Sequence, residues 1–172
     1  ALRSAQEHLL AVGLTGVHDV DGAPAFSAFQ ALRREDALRV RVVKYVRRAA
    51  LSGLLTAGVR TGFGDRWLRL GGLKLYADGA LGARTGAMFA PYEGEPDNLG
   101  VLTLEPEALE ALARQAVGGG LALAVHAIGD RANRLVLDAL ETVRPHDPTL
   151  RHRIEHAQLI RPEDVPRFRH LN

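Results

Sequence analysis

Apolar and polar positions alternate along this chain in two rhythms, and the two take turns. From Ala1 to Val12 the apolar residues Leu2, Ala5, Leu9 and Val12 recur at the spacing of one helix face, and Gly13 is a natural stop. A short β-branched run, Thr15 to Val20 (TGVHDV), reads as a strand that ends at the turn residues Asp21 and Gly22. The alternation then repeats. A helix is predicted over Pro24 to Arg34, a strand over Leu38 to Val46, a helix over Arg47 to Ala57 and a third strand over Gly72 to Ala77. A long glycine-rich connection, Asp78 to Gly100, has the composition of an active-site loop. Pro106 opens a helix that Gly118, Gly119 and Gly120 end near Val117, and Leu121 to His126 follows as the fourth strand. The last pair of units is a periodic helix over Asp130 to Arg144 and a fifth strand over Arg151 to Ala157, with a short helix over Pro162 to Leu171.

Five strands, each followed by a helix or a long loop, imply parallel pairing with right-handed crossovers. Two architectures satisfy that order, an open doubly wound sheet and a (β/α)8 barrel, and no dinucleotide-type glycine fingerprint is present. A whole barrel takes about 250 residues. The 172 residues here therefore predict a partial (β/α)8 TIM barrel of five units, one domain over residues 1–172, with barrel units absent at both ends.

Composition narrows the function. The 22 basic and 20 acidic side chains are interspersed, which predicts no nucleic-acid partner. No run approaches the roughly 20 apolar residues that cross a bilayer, so no membrane partner is predicted, and no export signal is visible. A cytoplasmic location is the expectation. With no cysteine, any metal must be held by nitrogen and oxygen ligands.

In a parallel barrel the chemistry sits at the C-terminal ends of the strands. Lys74, His126 and His156 occupy such places. A histidine at a strand end is most simply a hydrogen-bonded structural residue, but two on consecutive strands point toward metal ligation. Lys74 is the sharper anomaly, because an ammonium in a buried strand must be paired, neutralised or modified. A salt bridge to Asp78 would satisfy it. A Schiff-base role and a carboxylated amine that bridges metals are the functional alternatives. Asp78 shares strand parity with Lys74 and Tyr76. His152 lies at the far end of its strand and reads as packing. His18 is left open between core, substrate and metal. Asp130 reads as a favourable charge at a helix start.

Three longer stretches, LKLYADGALGARTGAMFAPY, AVHAIGDRANRLVLDALE and RHRIEHAQLI, together with the opening GLTGVHDV, resemble the amidohydrolase superfamily, in particular amidohydrolase family 3. The resemblance spans nearly the whole chain. It implies a barrel with one or two divalent ions, usually zinc, activating water against an amide or related carbon–nitrogen bond of a small molecule. It also places the five strands as barrel strands two to six. Lys74 then corresponds to the strand-four bridging ligand, with carboxylation as an option, and His126 and His156 to the strand-five and strand-six histidines. Tyr76, Asp78 and Arg84 are the expected substrate-facing residues.

The strand-one His-x-His pair and the strand-eight aspartate of that pattern are absent, so the general base is expected outside these residues and the isolated chain is expected to be inactive. Self-association through open barrel edges is also expected. Two rival readings are a Schiff-base lysine barrel enzyme and a non-catalytic barrel piece that binds a ligand or partner.

Overall fold

The computed structural model describes residues 1–171. Its elements alternate as the pattern predicts: α1 (Leu2–Ala11), β1 (Gly16–Asp19), α2 (Ala23–Arg34), β2 (Arg41–Arg47), α3 (Leu51–Thr56), β3 (Leu68–Tyr76), α4 (Pro106–Gly118), β4 (Leu123–Ala127), α5 (Asp130–Val143), β5 (Arg153–His156) and α6 (Val165–His170). The five strands are parallel and stand in the order β1-β2-β3-β4-β5. That is the element order of five consecutive units of a (β/α)8 barrel. No helix among the described residues is long and apolar enough to cross a membrane.

The chain forms two compact units, Ala1–Leu73 and Lys74–Asn172. In the first, α1 ends where Gly13 takes a φ of 81°, and the N–H of Leu14 turns back to the carbonyl of Leu9. Phe29, Leu32, Leu38, Val40, Val42 and Leu68 form the core, with Leu2, Leu9 and Trp67 packed against it. Gln6 is buried on the inner face of α1, where its amide accepts from the N–H of Arg39 at 2.6 Å and donates to the carbonyl of Ala37 at 3.3 Å. β1 and β2 pair in register, His18 opposite Val43 and Asp19 opposite Lys44.

β3 starts at Leu68, four residues before the predicted strand. The Gly71-Gly72 pair looks like a strand breaker in the sequence, yet it is needed inside this one. A Cβ on Gly71 would lie 2.6 Å from the ring of Tyr45, and Gly72 adopts a φ of 145°.

In the second unit α4 and α5 pack on one another, and each buries one face. Ala113 and Ala116 of α4 and Ala132 and Val136 of α5 are fully buried. β4 and β5 pair so that His126 stands opposite Glu155 and Ala127 opposite His156. The two predicted helices over Arg47 to Ala57 and Pro162 to Leu171 each begin instead with one 3₁₀ turn, Arg48–Ala50 and Pro162–Asp164, before α3 and α6. A single such turn is common at a helix start.

Candidate metal centre

The second unit brings together Lys74 at the C-terminal part of β3, His126 at the end of β4 and His156 at the end of β5. The imidazoles of His126 and His156 stand edge to face with centroids 4.7 Å apart. The ring of Tyr76 lies 5.5 Å from that of His126 and covers the amine of Lys74, whose Nζ is 3.8 Å from the ring centre. These four side chains form one cluster.

Lys74 is 5% exposed, and its Nζ donates to the carbonyl of Leu75 at 2.8 Å. Asp78 does not pair with it, and no carboxylate among the described residues lies within ion-pair distance. Burial therefore lowers its pKa from 10.5 to about 8, against the opposing pull of Glu155. A buried amine with a pKa of about 8 gives up its proton far more readily than an ordinary lysine, and once deprotonated it can act as a nucleophile or a ligand.

His126 presents Nε2 to the carbonyl of Gly79 at 2.7 Å. A carbonyl only accepts, so Nε2 carries the proton and the lone pair sits on Nδ1. His156 has a φ of 75° and Ala157 one of 48°, two left-handed residues in succession where β5 ends. Such conformations cost roughly 1 kcal/mol or more each and concentrate at functional sites. The N–H of Ala157 is then held by the carbonyl of Ala127 at 3.0 Å, which ties the end of β5 to the end of β4.

The substrate-facing residues expected from the sequence divide. Tyr76 is 42% exposed and belongs to the cluster. Asp78 is buried, and its carboxylate accepts from the backbone N–H groups of Ala87, Ile128 and Gly129 at 2.9, 3.0 and 2.8 Å. Arg84 stands in the exposed loop with a φ of 51° and pairs with Glu95. Its guanidinium is turned to Glu95.

Sequence reasoning also missed residues. Lys44 carries the same signal as Lys74, a cation in an apolar strand, and is 1% exposed. Its Nζ pairs with Asp19 and donates to the carbonyl of Asp21, so it is satisfied within the first unit. Asn133 is fully buried in α5, and no strand-end signal marks it. The carbonyl of Gly79 cannot be read from any side-chain pattern.

The donor set can accept a divalent ion. It comprises two neighbouring imidazoles and one deprotonatable amine, with no cluster of three His, Asp or Glu among the described residues. Lys74 is thus the donor that would take the set beyond two.

Comparison with known proteins identifies the family and the fold. The amidohydrolase family model matches residues 1–172. The protein LONG AFTER FAR-RED 3 of Arabidopsis thaliana is 41% identical over 110 residues, covering 63% of this chain and 19% of that protein. YtcJ of Bacillus subtilis (strain 168), whose name is that of an amidohydrolase, is 40% identical over 114 residues, 60% of this chain and 21% of its own length. The crystal structure of an uncharacterised metal-dependent hydrolase from Pyrococcus furiosus superposes with a TM-score of 0.89 at 37% identity, over 99% of this chain and 35% of that one. This chain therefore spans about a fifth of the curated relatives and about a third of the solved neighbour.

Proposed function

Because this chain belongs to the amidohydrolase family, we propose that it supplies part of the metal centre of a hydrolase acting on a carbon–nitrogen bond of an amide-like small molecule. The observation that carries the reading is the pair of imidazoles, His126 and His156, 4.7 Å apart at the ends of neighbouring strands beside an unpaired buried lysine. His126 would bind through Nδ1, the nitrogen its bond to Gly79 leaves free. His156 would bind from the strained turn that ends β5. Lys74 completes the set as a neutral amine or, after losing one proton, adding its nitrogen to the carbon of carbon dioxide and releasing a second proton from that nitrogen, as a carbamate oxygen donor. A bound divalent ion, of which zinc is the commonest with nitrogen ligands, supplies Lewis acidity toward a carbonyl and lowers the pKa of water.

The remaining residues bind and orient. Tyr76 has an exposed edge beside His126 and can meet the polar atoms of a substrate with its hydroxyl. Arg84 would contact substrate only by exchanging its partner Glu95. Asp78, with both oxygens engaged, holds backbone rather than substrate. No proton acceptor for water is assigned among these residues.

Elemental analysis of the purified protein tests the reading. Near-stoichiometric metal, lost in His126→Ala and His156→Ala and reduced in Lys74→Ala, is the expected result. Absence of metal after incubation with zinc would reject it. The lowered pKa of Lys74 favours one second reading, a Schiff base with a carbonyl substrate. Borohydride reduction in the presence of an aldehyde would leave a stable adduct on Lys74 in that case and none in the first.

A further inference from the structure

A buried carboxylate that accepts three main-chain N–H groups and touches no cation has a structural task, and its place defines that task. Asp78 follows directly on the strand that carries Lys74 and Tyr76. Its three donors come from two other segments: Ala87 belongs to the long loop, while Ile128 and Gly129 directly follow the strand that ends in His126 and Ala127. The segments are in close contact. A Cβ on Gly129 would fall 1.9 Å from the carbonyl oxygen of Ala87, and one on Gly79 would fall 2.1 Å from the hydroxyl of Thr85.

The stretch 127–129 is gripped from its other side as well. Asn133 Nδ2 faces the carbonyls of Ile128, Gly129 and Leu159 at 3.2, 2.9 and 3.0 Å. Asp78 thus takes the N–H groups of this turn and Asn133 takes its carbonyls. The residue after Asp78 is Gly79, whose carbonyl receives Nε2 of His126. Oδ1 of Asp78 lies 3.5 Å from the same nitrogen. One buried carboxylate therefore fixes both the backbone on which His126 rides and the carbonyl that selects its tautomer.

We propose that Asp78 is a positioning residue for the metal centre: through Gly79 and the 127–129 turn it holds the His126 imidazole with Nε2 protonated and Nδ1 presented as a donor. This rests on the reading of His126 as a metal ligand for its function, though the orientation itself does not need the metal. Outer groups that orient a ligating histidine typically change metal affinity by about 10–100-fold when removed. An amide in place of the carboxylate must turn its NH₂ toward at least one of the three N–H donors. The turn would then shift and release Gly79.

Two measurements on the whole purified protein test the proposal. In the metal-free protein, ¹⁵N shifts of the His126 ring are expected to show one tautomer, Nε2–H, and Asp78→Asn is expected to give a mixture of both. With cobalt(II) as the probe, the affinity read from its visible absorption is expected to fall at least tenfold in Asp78→Asn. A control, Leu109→Ala, lowers stability from α4 and is expected to leave both readouts unchanged. Thr85→Val is the milder variant if Asp78→Asn does not fold: it removes the acceptor of the Ala80 N–H at 2.9 Å, beside Gly79, and is expected to shift the tautomer in the same direction.

A single unchanged tautomer in Asp78→Asn, or in Thr85→Val where only that variant folds, would overturn the proposal. So would an equal loss of cobalt affinity in Leu109→Ala. Failure of the wild-type protein to bind cobalt, or binding that survives His126→Ala, would reject the metal-centre reading instead, and the ring shifts would still decide the positioning role.

Discussion

Lys74 and Lys44 show how one residue type in one kind of strand divides into two roles. Both are cations on strands with almost no exposure, but Lys44 has Asp19 and Lys74 has no carboxylate. A buried amine whose charge is not balanced by an ion pair destabilises the metal-free protein. Lys74→Met is therefore expected to raise the stability of the chelator-treated protein by about 2 kcal/mol, measured by urea unfolding at pH 7. Lys44→Met would leave Asp19 unpaired, and a loss of stability is expected there.

His152 poses the related question for an imidazole. Its Nδ1 accepts from the N–H of Leu123 at 3.1 Å, so Nε2 bears the proton, and that atom is buried without a partner. Burial, opposed by Asp147, lowers its pKa below the usual 6.5. The unfolded chain then binds a proton that the folded one refuses, so stability falls as pH drops below about 6.5. His152→Asn keeps an acceptor for Leu123 and removes the titration. A flatter acid limb in its stability-against-pH curve is the expected outcome, and an unaltered limb would reject this assignment.

At the scale of elements, the long loop after β3 is organised by main-chain contacts. The carbonyl of Ala87 accepts from the N–H groups of Arg131 and Ala132 at the start of α5 at 3.1 and 3.3 Å, and the N–H of Thr103 returns to the carbonyl of Ala77 at 2.9 Å. Gly129 is where loop and helix meet. Its φ is −71°, so no special conformation demands glycine, but its hydrogen faces a backbone oxygen that cannot swing away. Gly129→Ala is expected to cost about 2–3 kcal/mol through the forced backbone shift. A change below 0.5 kcal/mol in a thermal melt would show that the loop yields easily. Adding alanine at Gly118, which has nothing within 4 Å of its Cβ position, is expected to be harmless.

For the whole molecule, five parallel strands in sequence order leave β1 and β5 with one neighbour each among the described residues. Unpaired N–H and C=O groups along such edges are ready partners for another strand. We propose that these edges let this chain self-associate: light scattering at micromolar concentration is expected to show a dimer or larger species, and a clean monomer would reject it.

Much of this was legible in the residues. The alternation of helix and strand periods, the glycine stops and the prolines at helix starts determined element order, because those signals act within one turn of chain. Lys74, His126 and His156 stood out because polar groups at the ends of apolar strands need a reason. The tertiary structure decided which groups each of them meets, since partnership is a matter of distance between remote segments. It separated the satisfied Lys44 from the unpaired Lys74. It turned Asp78 from a residue expected to meet substrate into one whose oxygens hold three backbone N–H groups, two of them about 50 residues away along the chain. It also brought in Asn133 and the carbonyl of Gly79, which no periodicity could mark, because a hydrogen bond between distant backbones leaves no pattern in the side chains that precede it.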